Sequence, residues 1–224
     1  MKTSVSNSFL PRSFSEKTTI QDYAKVAWFY NFWGRLTEAK AQQKVLELAK
    51  IKDGESILEV GMGTGTFFLK MVEKNPQGRN EGIDLSPAML ARAHNLLQKR
   101  SPDSHFNLSI GNAYNLPFED QSFDLVVNNF MLDLLPEADF GKLLNEFQRV
   151  LRPGGRIVLS TMALGDRWYH RFWSWLAKSL PSLLTGCRPV SIRPYLEEVG
   201  FKEVVTAKIS QNTFPSEVTL AQLD

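Results

Sequence analysis

The chain has 224 residues, 43% of them hydrophobic and 22% charged, and its 26 basic and 24 acidic side chains leave a formal charge of only +2. This length supports one sizeable core and crowds two, and the charge balance lacks the basic field on which nucleic-acid affinity rests, so no nucleic-acid partner is expected. The single cysteine, Cys187, excludes an internal disulfide framework and a cysteine-built zinc site.

In chain order, residues 1–19 are rich in Ser and poor in acids and read as a flexible N-terminal tail, with one domain over 20–224. The tail lacks the continuous apolar stretch of a secretory signal. No apolar run reaches the roughly 18 residues a spanning helix needs, so a cytoplasmic protein is expected. Residues 20–50 have a helical and strongly aromatic pattern (Tyr23, Trp28, Phe29, Tyr30, Phe32, Trp33), which predicts a helical cap. Gly34 should divide it, with a second helix over 37–49 burying Val45, Leu46 and Leu48.

Beyond residue 50 the texture becomes alternating. Strands are predicted at 56–60, 80–85, 105–110, 123–128, 156–161 and 201–209, with a seventh at 218–222. Helices are predicted at 66–73, from Pro87 onward behind a Ser86 N-cap, at 137–150 stopped by Pro153-Gly154-Gly155, and at 192–199. This is the order of an α/β, doubly wound, mostly parallel seven-stranded sheet. The expected parts are the helical cap at 20–50, a cofactor-binding core at 51–162 and a helical lid insertion after the fifth strand at 163–190.

The strongest chemical signal is Glu59-Val60-Gly61-Met62-Gly63-Thr64-Gly65 between a strand and a helix. Glycines there let the chain turn tightly and let a ligand approach the backbone. Asp84 ends the next strand, where a carboxylate can accept from both hydroxyls of a ribose. A dinucleotide fingerprint would place its third glycine at Thr66, whereas the last glycine falls one place earlier at Gly65. Glu59 is ill-suited to a pyrophosphate but suits a cofactor whose far end carries an ammonium, as S-adenosylmethionine does.

These residues resemble the class I S-adenosylmethionine-dependent methyltransferases over roughly residues 45–210. The run from Ile57 to Gly65 is similar to that family's first motif, and Gly82-Ile83-Asp84-Leu85-Ser86-Pro87 to its ribose segment. Gly111-Asn112-Ala113 with Leu116-Pro117-Phe118 resembles the adenine segment. Phe123-Asp124-Leu125-Val126-Val127 and Val150-Leu151-Arg152-Pro153-Gly154-Gly155 resemble the fourth strand and the approach to the fifth. Within the family the chain looks most like the ubiquinone/menaquinone type (methyltransferase type 11), and it is also similar to bacterial phospholipid N-methyltransferases. The resemblance implies a Rossmann-like fold. It also implies that Glu59, Gly61, Gly63, Thr64 and Gly65 surround the methionine part, that Asp84 binds the ribose and that Leu85 packs on the adenine. Asn112 and Ala113 would read the adenine edge, and Asn129 would face the cofactor with Asn128 as its neighbouring alternative. The family more often has Asp at Asn112, and its Tyr-Asp pair ahead of the first motif is here Tyr30-Asn31.

Methyl transfer needs an aligned acceptor more than a catalytic motif, so no catalytic base and no metal site are assigned from sequence. His94, His105 and His170 read as solvated surface residues, and Cys187 as a small buried one. Arg167 to Leu180 is amphipathic if helical: Trp168, Phe172, Trp175, Leu176 and Leu180 share one face, Arg167, Arg171, Ser174 and Lys178 the other. Tyr30, Trp168 and Phe172 are the acceptor-side candidates. The helix reads as a lid over a small-molecule or lipid acceptor and, through 167–180, as a peripheral membrane contact. The competing functions are an NAD-dependent oxidoreductase, disfavoured by Glu59, Thr66 and the lack of a Tyr-x-x-x-Lys pair, and a non-catalytic cofactor-binding scaffold. The acceptor, its reacting atom and the oligomeric state are not written in the sequence.

Overall fold

The computed structural model describes residues 36–165, 170, 173, 175 and 187–224. The tail, most of the expected cap with Tyr30, and Trp168 and Phe172 lie outside the described residues. In chain order the elements are α1 (Ala39–Ala49), β1 (Ser56–Val60), α2 (Thr66–Lys74), β2 (Arg79–Asp84), α3 (Pro87–Arg100), β3 (Asn107–Ile110) and β4 (Phe123–Asn129). Two 3-10 turns follow, Leu132–Leu134 and Glu137–Asp139, then α4 (Phe140–Val150), β5 (Leu151–Met162), α5 (Arg193–Glu198), β6 (Lys202–Gln211) and β7 (Phe214–Gln222).

The seven strands form one sheet in the order β3-β2-β1-β4-β5-β7-β6. Only β7 runs antiparallel to its neighbours. The strand order reverses between β1 and β4, and ligands of such sheets bind outside the carboxyl ends of the strands at that point. Ile57, Leu58, Val60, Leu125, Val126 and Val127 are buried because helices cover both faces. On one face Phe140, Leu143, Leu144 and Phe147 of α4 pack on the sheet. On the other, Ala41, Val45 and Ala49 of α1 do so. α2 and α3 make a third cluster with Phe68, Val72, Ala93 and Leu97.

Local chemistry sets several boundaries as expected. Ser86 Oγ accepts from the Met89 amide at the head of α3, with Pro87 in the first turn. Elsewhere the structure corrects the sequence reading. β5 begins at Leu151, not 156: partners jump from Phe123↔Leu151 to Leu125↔Arg156, so residues 152–155 bulge out. The bulge is held by paired backbone bonds between Gly154, Gly155 and Leu223, which a local reading of Pro-Gly-Gly cannot foresee. The helix expected over 137–150 starts at Phe140, after a 3-10 turn. Leu46 and Leu48 are half-buried, while Ala41, Val45 and Ala49 form the inner stripe of α1.

The expected faces of 167–180 lie, apart from Trp175, outside the described residues, and the solvated reading of His170 is corrected. His170 is buried, with Nε2 3.2 Å from Ser210 Oγ. Trp173 is buried against Phe214, and its indole N–H donates to Thr213 Oγ1. Trp175 is 56% exposed. His170 and Trp173 thus dock on the β6–β7 hairpin. Cys187 is buried, as expected.

The glycine turn separates two physical roles. Gly61, Gly63 and Gly65 all have positive φ. A Cβ on Gly65 would lie 2.7 Å from Ala93 Cβ and 3.1 Å from its Cα, so this glycine lets α2 approach α3. Around Gly63 nothing lies within 4 Å. In urea unfolding, Gly65→Ala should lose about 2–4 kcal/mol, from left-handed strain plus overpacking. Gly63→Ala should lose only about 1–2 kcal/mol. Equal losses would show that the helix contact is not what constrains Gly65.

Candidate functional site

The site is built where β1, β2 and β4 end. After Val60 the chain turns sharply: the amides of Gly61 and Met62 both donate to the Ile83 carbonyl, at 2.9 and 3.1 Å. The Gly63 amide donates to Asp84 Oδ2 at 2.8 Å, and the Ser86 amide to Asp84 Oδ1 at 2.8 Å. Asp84 therefore staples the glycine loop to the start of α3. Each of its oxygens accepts one backbone N–H and keeps a second lone pair for a ligand hydroxyl. Burial raises its carboxyl above the ordinary range, and the two amide bonds pull it back. Leu85, beside it, is 38% exposed and offers an open apolar surface.

Glu59, the penultimate residue of β1, is 1% exposed. Its Oε1 accepts from Asn129 Nδ2 at 3.0 Å, and Asn129 Oδ1 accepts from Ser160 Oγ at 2.8 Å, so one chain of hydrogen bonds joins the ends of β1, β4 and β5. Its Oε2 has no partner. Burial pushes the Glu59 carboxyl up to about 8; the Asn129 bond opposes this and the Asp84 charge adds to it. A buried carboxyl oxygen without a partner is costly, and a cation placed against it would restore the charged form. This is the property that a ligand ammonium requires.

The remaining sequence candidates divide. Ala113 is buried and Thr64 is buried in the loop. Asn112 is exposed, and its Oδ1 accepts from the Tyr114 amide at 3.0 Å, an Asx turn that shapes the segment. Asn129 sits at the strand end as expected, with its amide engaged in positioning Glu59. Asn128 is buried and donates to the Val60 carbonyl at 2.6 Å. Met131 closes over the loop: a Cβ on Gly61 would meet its Sδ at 2.8 Å.

Two further carboxyls at the same end escaped the sequence reading. Asp133, in the 3-10 turn after β4, is fully buried. Its Oδ2 accepts from the Met162 amide at the end of β5, and its Oδ1 has no partner. Burial raises it to about 7, while the Met162 bond and the Arg188 charge act in the opposite direction. Glu38, just ahead of α1, is buried and raised to about 8 by desolvation and by Asp133. Arg188 donates its backbone amide to the Asp133 carbonyl and Nη2 to the Leu135 carbonyl, which draws the segment after residue 186 to the same place. The signal available in sequence was a lone acid inside the apolar run Phe130-Met131-Leu132-Asp133-Leu134-Leu135.

Comparison with known proteins agrees with this geometry. Residues 57–155 match the family model of the methyltransferase domain. The demethylmenaquinone methyltransferase of Lactobacillus johnsonii is 28% identical over 225 residues, covering 90% of this chain and 91% of that protein. Among solved structures, the [4+2]-cyclase SpnF superimposes with a TM-score of 0.74 at 18% identity, covering 96% of this chain and 98% of its own. A SAM-dependent methyltransferase from Aquifex aeolicus does so with a TM-score of 0.62 at 17% identity, covering 95% and 100%. The matched domain spans the glycine loop, Asp84, Asn129 and the carboxyl ends of the strands that carry them, and over these residues the chain is similar to S-adenosylmethionine-dependent methyltransferases.

Proposed function

We propose that Glu59, the loop of Gly61, Gly63, Thr64 and Gly65, Asp84, Leu85, Asn112, Ala113 and Asn129 hold S-adenosylmethionine, and that the methyl group passes to a small lipophilic acceptor such as a quinone precursor or a phospholipid. The observation that carries the cofactor placement is the unpartnered, buried Oε2 of Glu59 beside a glycine loop and across from Asp84. The spare lone pairs of Asp84 take the ribose hydroxyls, and Leu85 takes a face of the adenine. Asn112, its oxygen already on the Tyr114 amide, keeps one lone pair for the adenine amino group. When bound, the cofactor supplies a methyl group activated on a sulfonium. The chain's own part is to hold the acceptor in line and exclude water.

The acceptor reading is supported by two independent facts. A protein named for demethylmenaquinone is 28% identical across nearly the whole chain. The residues that follow β4 are apolar apart from Asp133, so a ligand there meets hydrocarbon with one buried polar end. Asp133 and Glu38 form that polar end in this reading.

The cofactor assignment is checked by calorimetry. S-adenosylmethionine and S-adenosylhomocysteine should bind and NAD should not; the reverse preference would sink the assignment and favour an oxidoreductase. Asp84→Ala removes a charged acceptor, and hydrogen bonds to charged groups contribute roughly 1.5–3 kcal/mol, so affinity should fall on the order of tenfold to a hundredfold. The same substitution frees the Gly63 and Ser86 amides, so its thermal stability should be measured alongside.

Glu59 gives a signed pH prediction. In the free protein its carboxyl, raised to about 8, holds a proton at neutral pH. An ammonium ligand favours the ionised form, so binding should release up to about one proton and tighten as pH rises toward 8. Titrations in buffers of different ionisation enthalpy should show that proton in the wild type and not in Glu59→Gln. Glu59, Glu38 and Asp133 all have folded values above their ordinary ones. Their contribution to stability is full at low pH and is lost as pH rises through those values. The urea midpoint of the unliganded protein should therefore fall between about pH 5 and pH 8. A flat or rising midpoint would show that these groups are not buried in their neutral forms.

A further inference from the structure

The turn between β6 and β7 gathers exposed apolar side chains at the same end of the sheet as the site. β6 runs in the direction of β5, so its last residue, Gln211, lies toward the carboxyl ends. Leu36, 40% exposed, leads into α1, and its carbonyl accepts from Asn212 Nδ2 at 2.8 Å. Leu164, 51% exposed, follows Ala163, whose amide donates to the Pro215 carbonyl. Trp175, 56% exposed, is two residues from Trp173, which donates to Thr213. Two of the six large hydrophobic side chains exposed among the described residues, Leu36 and Leu164, thus lie beside residues 210–215, and Trp175 is exposed on the segment that Trp173 anchors there. Singly, exposed apolar residues need no explanation; gathered at the mouth of a site, they mark an interaction surface.

Two lysines lie beside this rim. Lys40, whose amide donates to Gln211 Oε1, and Lys208 are exposed. The neighbouring carboxyls Glu38 and Glu217 are buried and shifted toward their neutral forms. Among the described residues no helix is long and apolar enough to cross a membrane.

We propose that the rim of Leu36, Leu164 and Trp175, flanked by Lys40 and Lys208, rests on an anionic lipid bilayer and presents the carboxyl end of the sheet to it. The proposal rests on the reading of a lipophilic acceptor, which would then reach the site from the bilayer without crossing water. It differs from the surface expected from sequence, because His170 and Trp173 are buried against the hairpin while Trp175 is exposed.

The test is co-sedimentation of the full chain with vesicles of phosphatidylcholine containing phosphatidylglycerol, and with vesicles of phosphatidylcholine alone. The protein should bind the anionic vesicles in a salt-sensitive manner and the neutral ones far less. Changing Leu36, Leu164 and Trp175 together to Ser should weaken binding on the order of a hundredfold. Lys40→Gln and Lys208→Gln should each weaken it about fivefold at low salt. Ile110→Ser, an equally exposed residue at the opposite sheet edge, should change nothing. Deuterium uptake at residues 36–40 and 210–214 should fall when anionic vesicles are added to the wild type, which needs no variant to fold. No binding, binding insensitive to lipid charge, or a triple variant that binds like the wild type would overturn the proposal. S-adenosylhomocysteine affinity, measured in parallel, is unaffected by the rim variants if the two sites are separate. Loss of vesicle binding with intact cofactor binding, or the reverse in the wild type, therefore tells which reading has failed.

Discussion

The structure is organised around one buried carboxyl group. Glu59 sits where the strand order reverses, and it is held by the amide of Asn129, which is held in turn by the hydroxyl of Ser160. Three neighbouring strands are thereby fixed in depth at their carboxyl ends, and the loop that leaves β1 must turn within them. The arrangement leaves a carboxyl oxygen dry and without a partner, a state that folding alone gives no reason to keep. The glycine turn, the Asp84 staple and Met131 lie around this carboxyl at the same end of the sheet.

Most of the cofactor end was legible in the sequence because its constraints are local. A positive φ calls for Gly61, Gly63 and Gly65; a helix start calls for Ser86 and Pro87; a strand-end carboxylate stands at a fixed interval from the loop. What the sequence concealed depends on distant partners. β5 starts early because the last residues of the chain pair with its bulge. His170 and Trp173 face inward because a hairpin some 40 residues later offers them Ser210 and Thr213. Asp133 and Glu38 come together across nearly a hundred residues, and although Asp133 stands alone in an apolar run, nothing in sequence pairs it with Glu38. The acceptor-side candidates Tyr30, Trp168 and Phe172 lie outside the described residues.

The fold also limits what likeness can say about chemistry. A cyclase and a methyltransferase superimpose on this chain with similar quality and similarly low identity. The shared scaffold is the cradle made by β1, β2 and β4, and the reaction is decided by what stands beyond β4 and β5. In this chain that region pairs an apolar 3-10 turn with two carboxyls of raised pKa and a buried arginine.

The packing of α1 has a consequence for how the chain acquires its shape. The helix lies on β5, β6 and β7, and its start is tied to the hairpin turn through Lys40 and Gln211, 171 residues apart in sequence. During synthesis its inner stripe of Ala41, Val45 and Ala49 leaves the ribosome long before the strands that cover it exist. At about 5–20 residues per second that interval is roughly 10–30 s. The nucleus must therefore form among β1, β2, β4 and the helices between them, whose contacts are nearer in sequence, with α1 docking last. For that interval the inner stripe of a nascent amphipathic helix stands uncovered.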